Sequence, residues 1–400
     1  MALTLSKKAQ AVKPSSTLAI TAKAKELMAQ GIDVVGFGAG EPDFNTPDNI
    51  CEAAIKAIHD GFTKYTPAEG TLELRNAICA KFLNFNKIKY EPSQIVVSNG
   101  GKHSLTNVFE AICNPGDEVI IPTPYWLSYP EIVKLADGVP VFVRAEKEQN
   151  YKVTAAQIEA ACTEKTKALI LNSPSNPSGM IYSREELEAI AEVAVRKDFY
   201  VVSDEMYENL IYGDGEAVSI ASLNDEIYKR TITCSGVVKS YSMTGWRIGF
   251  TGCSKEIAKL MGSVQSHQTS NANSIAQKAA YEALVGSQDS VYKMHTEFNK
   301  RRDIMYERVS SINLISALKP QGAFYLFVDI SKILEKEYNG SKVGDVYNLS
   351  KILIEDYNVA VIPCEDFGFA DHIRLSYAIS MEQIKKGLDR IEEFVEKIAK

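Results

Sequence analysis

The stretch KALILNSPSNPSGMIYSREELEAIAEVAVRKDFYVVSDE, residues 167–205, decides the architecture. It opens on a short β-rich run, KALILNSP (167–174), and closes on another, FYVVSDE (199–205). Between them SREELEAIAEVAVRK (183–197) reads as a helix. The apolar cores of both runs show no polar alternation, which is the pattern of strands buried on both faces. The same alternation extends in both directions, through QIVVSN (94–99), DEVIIPTP (117–124), VPVFVR (139–144) and RTITCSG (230–236). Alternating β and α of this kind predicts an α/β fold with a mainly parallel sheet covered by helices.

Further along, GAFYLFVDI (322–330), VAVIP (359–363) and HIRLSYA (372–378) read as strands of a smaller α+β unit flanked by charged helices. An amphipathic helix from Leu18 to Gln30, ending at Gly31, is expected to join that unit. The expected division is an N-terminal segment over 1–45 shared with the small domain, a large domain over 46–310, and the C-terminal small domain over 311–400.

Composition narrows the function classes. The 400 residues carry 44 Lys and Arg against 51 Asp and Glu, a net charge of −7 with no long run of one sign. That pattern does not suit a nucleic-acid or anionic-membrane partner. No apolar stretch reaches the roughly 18 residues that span a bilayer, and the N-terminus shows no signal-peptide core. The seven cysteines form no CxxC pair and the five histidines are scattered, so no metal site is expected. A cytoplasmic chain with reduced thiols is the expectation.

Ligands of open α/β sheets bind beyond the carboxyl ends of the strands. The polar residues there are Ser98 to Lys102, Pro124 to Trp126, Asn172 to Asn176, Asp204-Glu205 and Ser235 to Lys239. Lys239 follows the run ITCSGVV and has few charged neighbours in sequence, so partial burial is expected. Burial and a nearby cation such as Arg247 would lower its pKa, and a neutral amine condenses with an aldehyde. Arg247, on a glycine-rich turn, suits a phosphate. Gly100 and Gly101, between a strand and a helix, let a phosphate approach free N–H groups. Asp204 either caps a following helix or pairs with a cationic ligand group, with Tyr207 aimed at the same place. Trp126 serves the core or stacks on a flat ring. Gly36 and Gly38 in GFGAGEPDF (36–44) do not make a dinucleotide loop, since Glu41 and Pro42 stand where a glycine and a helix would follow. Gly40 in that turn permits close approach of a ligand to the backbone. An aldehyde and a phosphate on one cationic ring describe pyridoxal 5′-phosphate.

With these residues in place, the chain resembles the class I aminotransferases, of fold-type I. SGVVKSYSMTGWRIGF (235–250) is similar to their cofactor-lysine signature, K-x7-R-x-G. GFGAGEPDFNTP, KYTPAEGTLELR, PTPYWLSYP, NSPSNPSG, VSDEMY and IRLSYA resemble further motifs of the family, in order. The resemblance runs from about Lys13 to Ile391 and is most marked with the bacterial I-β aspartate aminotransferases, some of which also use prephenate. It implies a homodimer with shared sites, small amino-acid and 2-oxo-acid substrates, and transfer between aspartate and 2-oxoglutarate. It implies that Lys239 is the Schiff-base lysine and proton shuttle and that Asp204 pairs with the pyridinium nitrogen. Tyr207 and Asn176 would bond the ring O3′, and Trp126 would stack on the ring. Gly101, Lys102 and Arg247 would surround the phosphate, with Tyr65 reaching it from the other subunit. Arg374 would bind the substrate α-carboxylate, and Gly40 would offer a backbone contact.

Two departures bear on substrate. Animal-type relatives bind the distal carboxylate with an arginine in the segment that here reads MGSVQSHQTSNANSIAQ (261–277), which has no Arg or Lys. The I-β group uses the lysine matching Lys102 there, and its prephenate-using members a lysine matching Lys13. Val238 stands before Lys239 where relatives often carry Ser or Ala. Alanine, aromatic or kynurenine transamination and C–S β-lysis share the same cofactor site. A pyridoxal-phosphate-binding regulator would need a DNA-binding module for which the length leaves no room.

Overall fold

A computed structural model describes residues 3–399. Its large sheet has seven strands: β1 (Ile95–Ser98), β2 (Glu118–Thr123), β3 (Val139–Arg144), β4 (Thr166–Asn172), β5 (Tyr200–Asp204), β6 (Thr231–Gly236) and β7 (Gly249–Gly252). Their spatial order is β1-β7-β6-β5-β4-β2-β3, and all pairs are parallel except the two that β7 makes.

The quoted stretch shows how sequence builds this layer. Ser183 caps the helix Arg184–Lys197: its hydroxyl accepts from the Glu186 N–H, and the Glu186 carboxylate accepts from the Ser183 N–H at 2.7 Å. The helix ends where Asp198 turns left-handed, at φ 56°. Leu187, Ile190, Ala191 and Ala194 pack on Leu169, Leu171 and Val201. The alternate strand residues Ala168, Ile170 and Val202 pack on the other face against Val108, Phe109 and Ile132. Period-two alternation thus feeds two apolar cores, which explains why β4 and β5 show no polar face. Leu169→Ala would leave a cavity in a fully buried site; a loss of about 2–5 kcal/mol in unfolding free energy is expected from denaturant titration.

The smaller sheet has four antiparallel strands in the order Ile362–Pro363, His372–Ser376, Tyr325–Asp329, Ser316–Ala317. The sequence VAVIP, expected as one strand, divides between two sheets. Val359–Ala360 pairs in parallel with Val35–Gly36, while Ile362–Pro363 joins the four-stranded sheet. Pro363 has no N–H to give and lies on an edge strand, where that costs no ladder bond. The helix Ser16–Ala29 packs beside these elements through Ala24, with Ile20 and Leu27, against Val34, Ile354 and Ala360. Among the described residues, no helix is long and apolar enough to cross a membrane.

Candidate active site

The carboxyl ends of β4, β5 and β6 deliver Asn172, Asp204 and the segment 237–243 to one place. Arg374 arrives from the small sheet, paired across it with Phe327. Lys239 donates to the Gly40 carbonyl. Its Nζ lies 5.9 Å from the ring centre of Tyr207 and 5.8 Å from that of Phe324. Burial pushes its ammonium pKa down to about 8, helped by Arg374 and, to a smaller extent, Arg247, with Glu41 opposing. The chief cation is therefore Arg374 rather than the sequence neighbour Arg247.

Asp204 ends β5 and is buried. Its Oδ2 accepts from the Tyr129 hydroxyl at 2.7 Å and its Oδ1 from the Met206 N–H at 3.2 Å. Burial raises its pKa, and the Tyr129 hydrogen bond opposes that. A turn follows rather than a helix, so Asp204 caps no helix. Beside it, the Asn172 amide donates to the Asp204 carbonyl at 3.0 Å and its oxygen accepts from the Asn176 N–H at 2.8 Å. Asn176 Oδ1 in turn accepts from Arg374 Nη1 at 2.9 Å, and Arg374 Nη2 donates to the Gly38 carbonyl at 3.2 Å. The guanidinium stacks over Tyr325, 4.3 Å from its ring centre, and its Nε is buried without a partner among the described residues. The Tyr207 and Tyr325 hydroxyls share a hydrogen bond of 2.8 Å.

The helix Gly101–Ile112 starts with no side-chain cap, which leaves its first N–H groups available to an anion. Gly100 has φ +85°, and a Cβ on it would lie 2.4 Å from Arg247 Nη2; a Cβ on Gly101 would lie 2.4 Å from Met206 Cε. Only glycine lets the Arg247 guanidinium stand over this turn. Arg247 itself is left-handed, φ 57°, and donates to the carbonyls of Thr244 at 3.1 Å and Asn99 at 3.4 Å. A cavity of about 710 Å³ opens here, lined by Glu41, Asn99, Thr244, Arg247 and Asn273 among others. The Lys102 amine sits 5.1 Å above the half-buried Trp126 ring, and burial, then Arg247, lowers its pKa.

Two segments that meet here are laced together. Besides the Lys239 bond to Gly40, Thr244 donates to Glu41 at 2.7 Å and Ser242 to the Phe44 carbonyl at 2.6 Å. Thr46 donates to the Ser242 carbonyl at 2.7 Å and accepts from Trp246 Nε1 at 2.9 Å.

The structure therefore brings together Lys239, Asp204, Tyr207, Asn176, Arg374 and Gly40, with Gly101, Lys102, Trp126 and Arg247 beside them. It does not bring Tyr65 or Lys13 into this cluster. Tyr65 is 90% exposed, between the helices Asp48–His59 and Leu72–Lys81, and Lys13 is exposed, its backbone N–H donating to Glu131 at 3.0 Å. Sequence reading gave no role to Tyr129 or Tyr325. Tyr129 stands three residues after Trp126 in PTPYWLSYP, in the first turn of the helix Ser128–Leu135, and that nearness is its one signal in the sequence. Among the described residues, no group of three or more His, Cys, Asp or Glu could hold a metal.

The family model for aminotransferase class I and II matches residues 32–391. The chain is 50% identical to an aspartate aminotransferase of Bacillus sp. (strain YM-2), over 98% of this chain and 99% of that one. It is 48% identical to a probable aspartate/prephenate aminotransferase of Aquifex aeolicus, over 97% of each. A solved structure of the aspartate aminotransferase from Thermus thermophilus with maleate superposes with a TM-score of 0.93 at 42% identity, covering 98% of this chain and 100% of that one.

Proposed function

The chain belongs to the class I and class II aminotransferases, and we propose that it moves an amino group between L-aspartate and 2-oxoglutarate, giving oxaloacetate and L-glutamate, with prephenate as a further substrate. The observation that carries this reading is the convergence of the Lys239 amine on the Gly40 carbonyl, the buried Asp204 carboxylate held by Tyr129, and the buried Arg374 guanidinium held by Asn176 and Gly38.

Pyridoxal 5′-phosphate fits the residues present: an amine, a buried carboxylate, a glycine cradle under Arg247 and an uncapped helix start. When bound, it supplies an aldehyde for the amine and a cationic ring that withdraws electrons from the substrate. Lys239 is the amine that would hold the group and move a proton at Nζ to and from the substrate. Asp204, fixed by Tyr129, would face the ring nitrogen and favour its protonated form. Tyr207 and Asn176 would orient the ring hydroxyl, and Trp126 would cover the ring. Gly101, Lys102 and Arg247 hold the phosphate, joined by Tyr65 of the partner subunit in a cytoplasmic homodimer; the exposure of Tyr65 in one chain is consistent with that. Arg374, whose Nε is free, binds the substrate α-carboxylate beside Gly40. The same reading divides the chain into a large domain over 46–310 and a small one over 311–400 joined by residues 1–45.

The distal carboxylate has no arginine in 261–277 to bind it, so Lys102 takes that part, while Lys13, outside the cluster in one chain, serves prephenate. The maleate held by the Thermus relative is itself a four-carbon dicarboxylate. Steady-state rates with aspartate, alanine, phenylalanine and kynurenine as donors, and prephenate as acceptor, test the reading; aspartate no better than alanine overturns it. A charge-assisted bond contributes roughly 1.5–3 kcal/mol, or about 10- to 150-fold. Lys102→Ala is therefore expected to lower kcat/KM for aspartate by that factor more than for alanine, at equal cofactor occupancy. Lys13→Ala is expected to hurt prephenate more than aspartate. Equal losses across substrates would assign both lysines to cofactor or fold.

A further inference from the structure

Behind the site lies a second charged cluster that the proposed reaction leaves unused. The turn Asp204-Glu205-Met206-Tyr207-Glu208 continues the β5–β6 ladder through the Glu205 N–H, which donates to the Cys234 carbonyl at 2.8 Å. Across this turn Asp204 and Tyr207, three positions apart, meet Tyr129 and Tyr325, while Glu205 and Glu208, also three apart, have other partners and are only 4% and 5% exposed.

Asn86 Nδ2 donates to both carboxylates, at 2.9 Å to Glu205 and 2.6 Å to Glu208. Ser203 and Ser219 donate to Glu205 at 2.8 and 2.5 Å. The Lys81 ammonium and the Ser235 hydroxyl both donate to Glu208. Lys81 also donates to Asn86 Oδ1 at 2.8 Å. Asn86 closes the π-helical turn Phe82–Asn86 that follows the helix Leu72–Lys81. Such turns are uncommon and recur at functional sites. Lys81 pairs with Glu208 alone, and burial together with the Glu208 charge holds the Glu205 carboxyl above its usual range.

A buried ion pair adds little net stability, because desolvation offsets the attraction; its value lies in fixing one arrangement. This one ties together three pieces: the turn that carries Asp204 and Tyr207, β6 through Ser235, four residues before Lys239, and the helix end at Lys81. We propose that Lys81, Glu205 and Glu208 are positioning residues that hold Asp204, Tyr207 and Lys239 in mutual register for the transamination proposed above, on which this inference rests.

The test compares Lys81→Met, Lys81→Arg, Glu208→Gln and the milder Ser235→Ala with wild type, all loaded with pyridoxal phosphate. Misplacement of reacting groups by about an ångström costs on the order of 100-fold. Lys81→Met and Glu208→Gln are expected to lose roughly 10- to 100-fold in kcat while KM for aspartate stays within about threefold, and Lys81→Arg to regain most of it. In the cofactor-free proteins, amide exchange over 204–208 is expected to speed up at least about tenfold while that of 166–172 is unchanged. Folded variants with wild-type kcat and wild-type exchange over 204–208 overturn the proposal, even at a lower melting temperature. If Lys81→Met and Glu208→Gln do not fold, Ser235→Ala decides by the same two measurements. A wild-type protein that forms no visible cofactor band overturns the functional reading and this inference with it.

Discussion

Replacing Lys239 by alanine is expected to abolish covalent capture of pyridoxal phosphate and to lower kcat on the order of 10⁴-fold or more, the scale seen when a covalent group of this kind is removed. Among lysines whose pKa is displaced, Lys239 is brought down to about 8, where the neutral amine is abundant at mild pH. Borohydride treatment of the loaded wild-type protein followed by peptide mass analysis is expected to label Lys239 and no other residue. The rate of capture by the cofactor-free protein is expected to rise with pH through about 8 as the ammonium loses its proton, and then to level off. A reducible adduct in the alanine variant, or a label elsewhere, refutes the assignment.

Removing the charge of Asp204 is expected to be the next most damaging change. Asp204→Asn keeps the shape and can still accept from Tyr129, with its amide nitrogen then set against the long Met206 N–H contact of 3.2 Å, so the anion is lost with little change of shape. A preorganised electrostatic partner of this sort contributes roughly 100- to 1000-fold in kcat. The expected result is a loss of that size with a melting temperature close to wild type. A near-wild-type kcat would show that the carboxylate only packs. Tyr129→Phe is its companion: it removes the hydroxyl that opposes the burial-driven rise in the Asp204 pKa, so the pKa is expected to climb further. The acidic limb of the kcat profile is then expected to move to higher pH, since a group with a raised pKa loses its charge sooner as pH falls.

How much of this was legible in the sequence depends on distance along the chain. Six strands of the large sheet are legible because each is a local apolar run, and the strand-end residues because parallel topology sends them to one edge; the antiparallel strand Gly249–Gly252, GFTG, carries no such run. Arg374 is reached through family motifs alone, whereas Asn176 is also a strand-end residue; that Asn176 would accept from Arg374, 198 positions away, lies in no local spacing. Tyr129 and Tyr325 escaped because a buried tyrosine reads as core until its hydroxyl partner is known. That Arg374 rather than Arg247 is the main cation adding to the burial-driven fall of the Lys239 pKa is equally hidden, since sequence neighbourhood points to Arg247. VAVIP reads as one strand because β-propensity does not say which partner a strand takes. Lys81 gives no signal because a lone lysine on a helix is usually solvated.

The parallel pairing of Val35 with Val359 has a consequence for how the molecule is born. The two residues are 359 − 35 = 324 positions apart. At about 5–20 residues per second, a ribosome needs roughly 16–65 s to traverse that interval. During it Val35 and Gly36 emerge as a strand without a neighbour, and the Gly38 carbonyl waits for a guanidinium 336 positions downstream. The seven-stranded sheet is complete in sequence by Gly252. The nascent chain can therefore finish its scaffold long before it can assemble the pocket, and the N-terminal strand is the part a holding chaperone would have to keep from strangers.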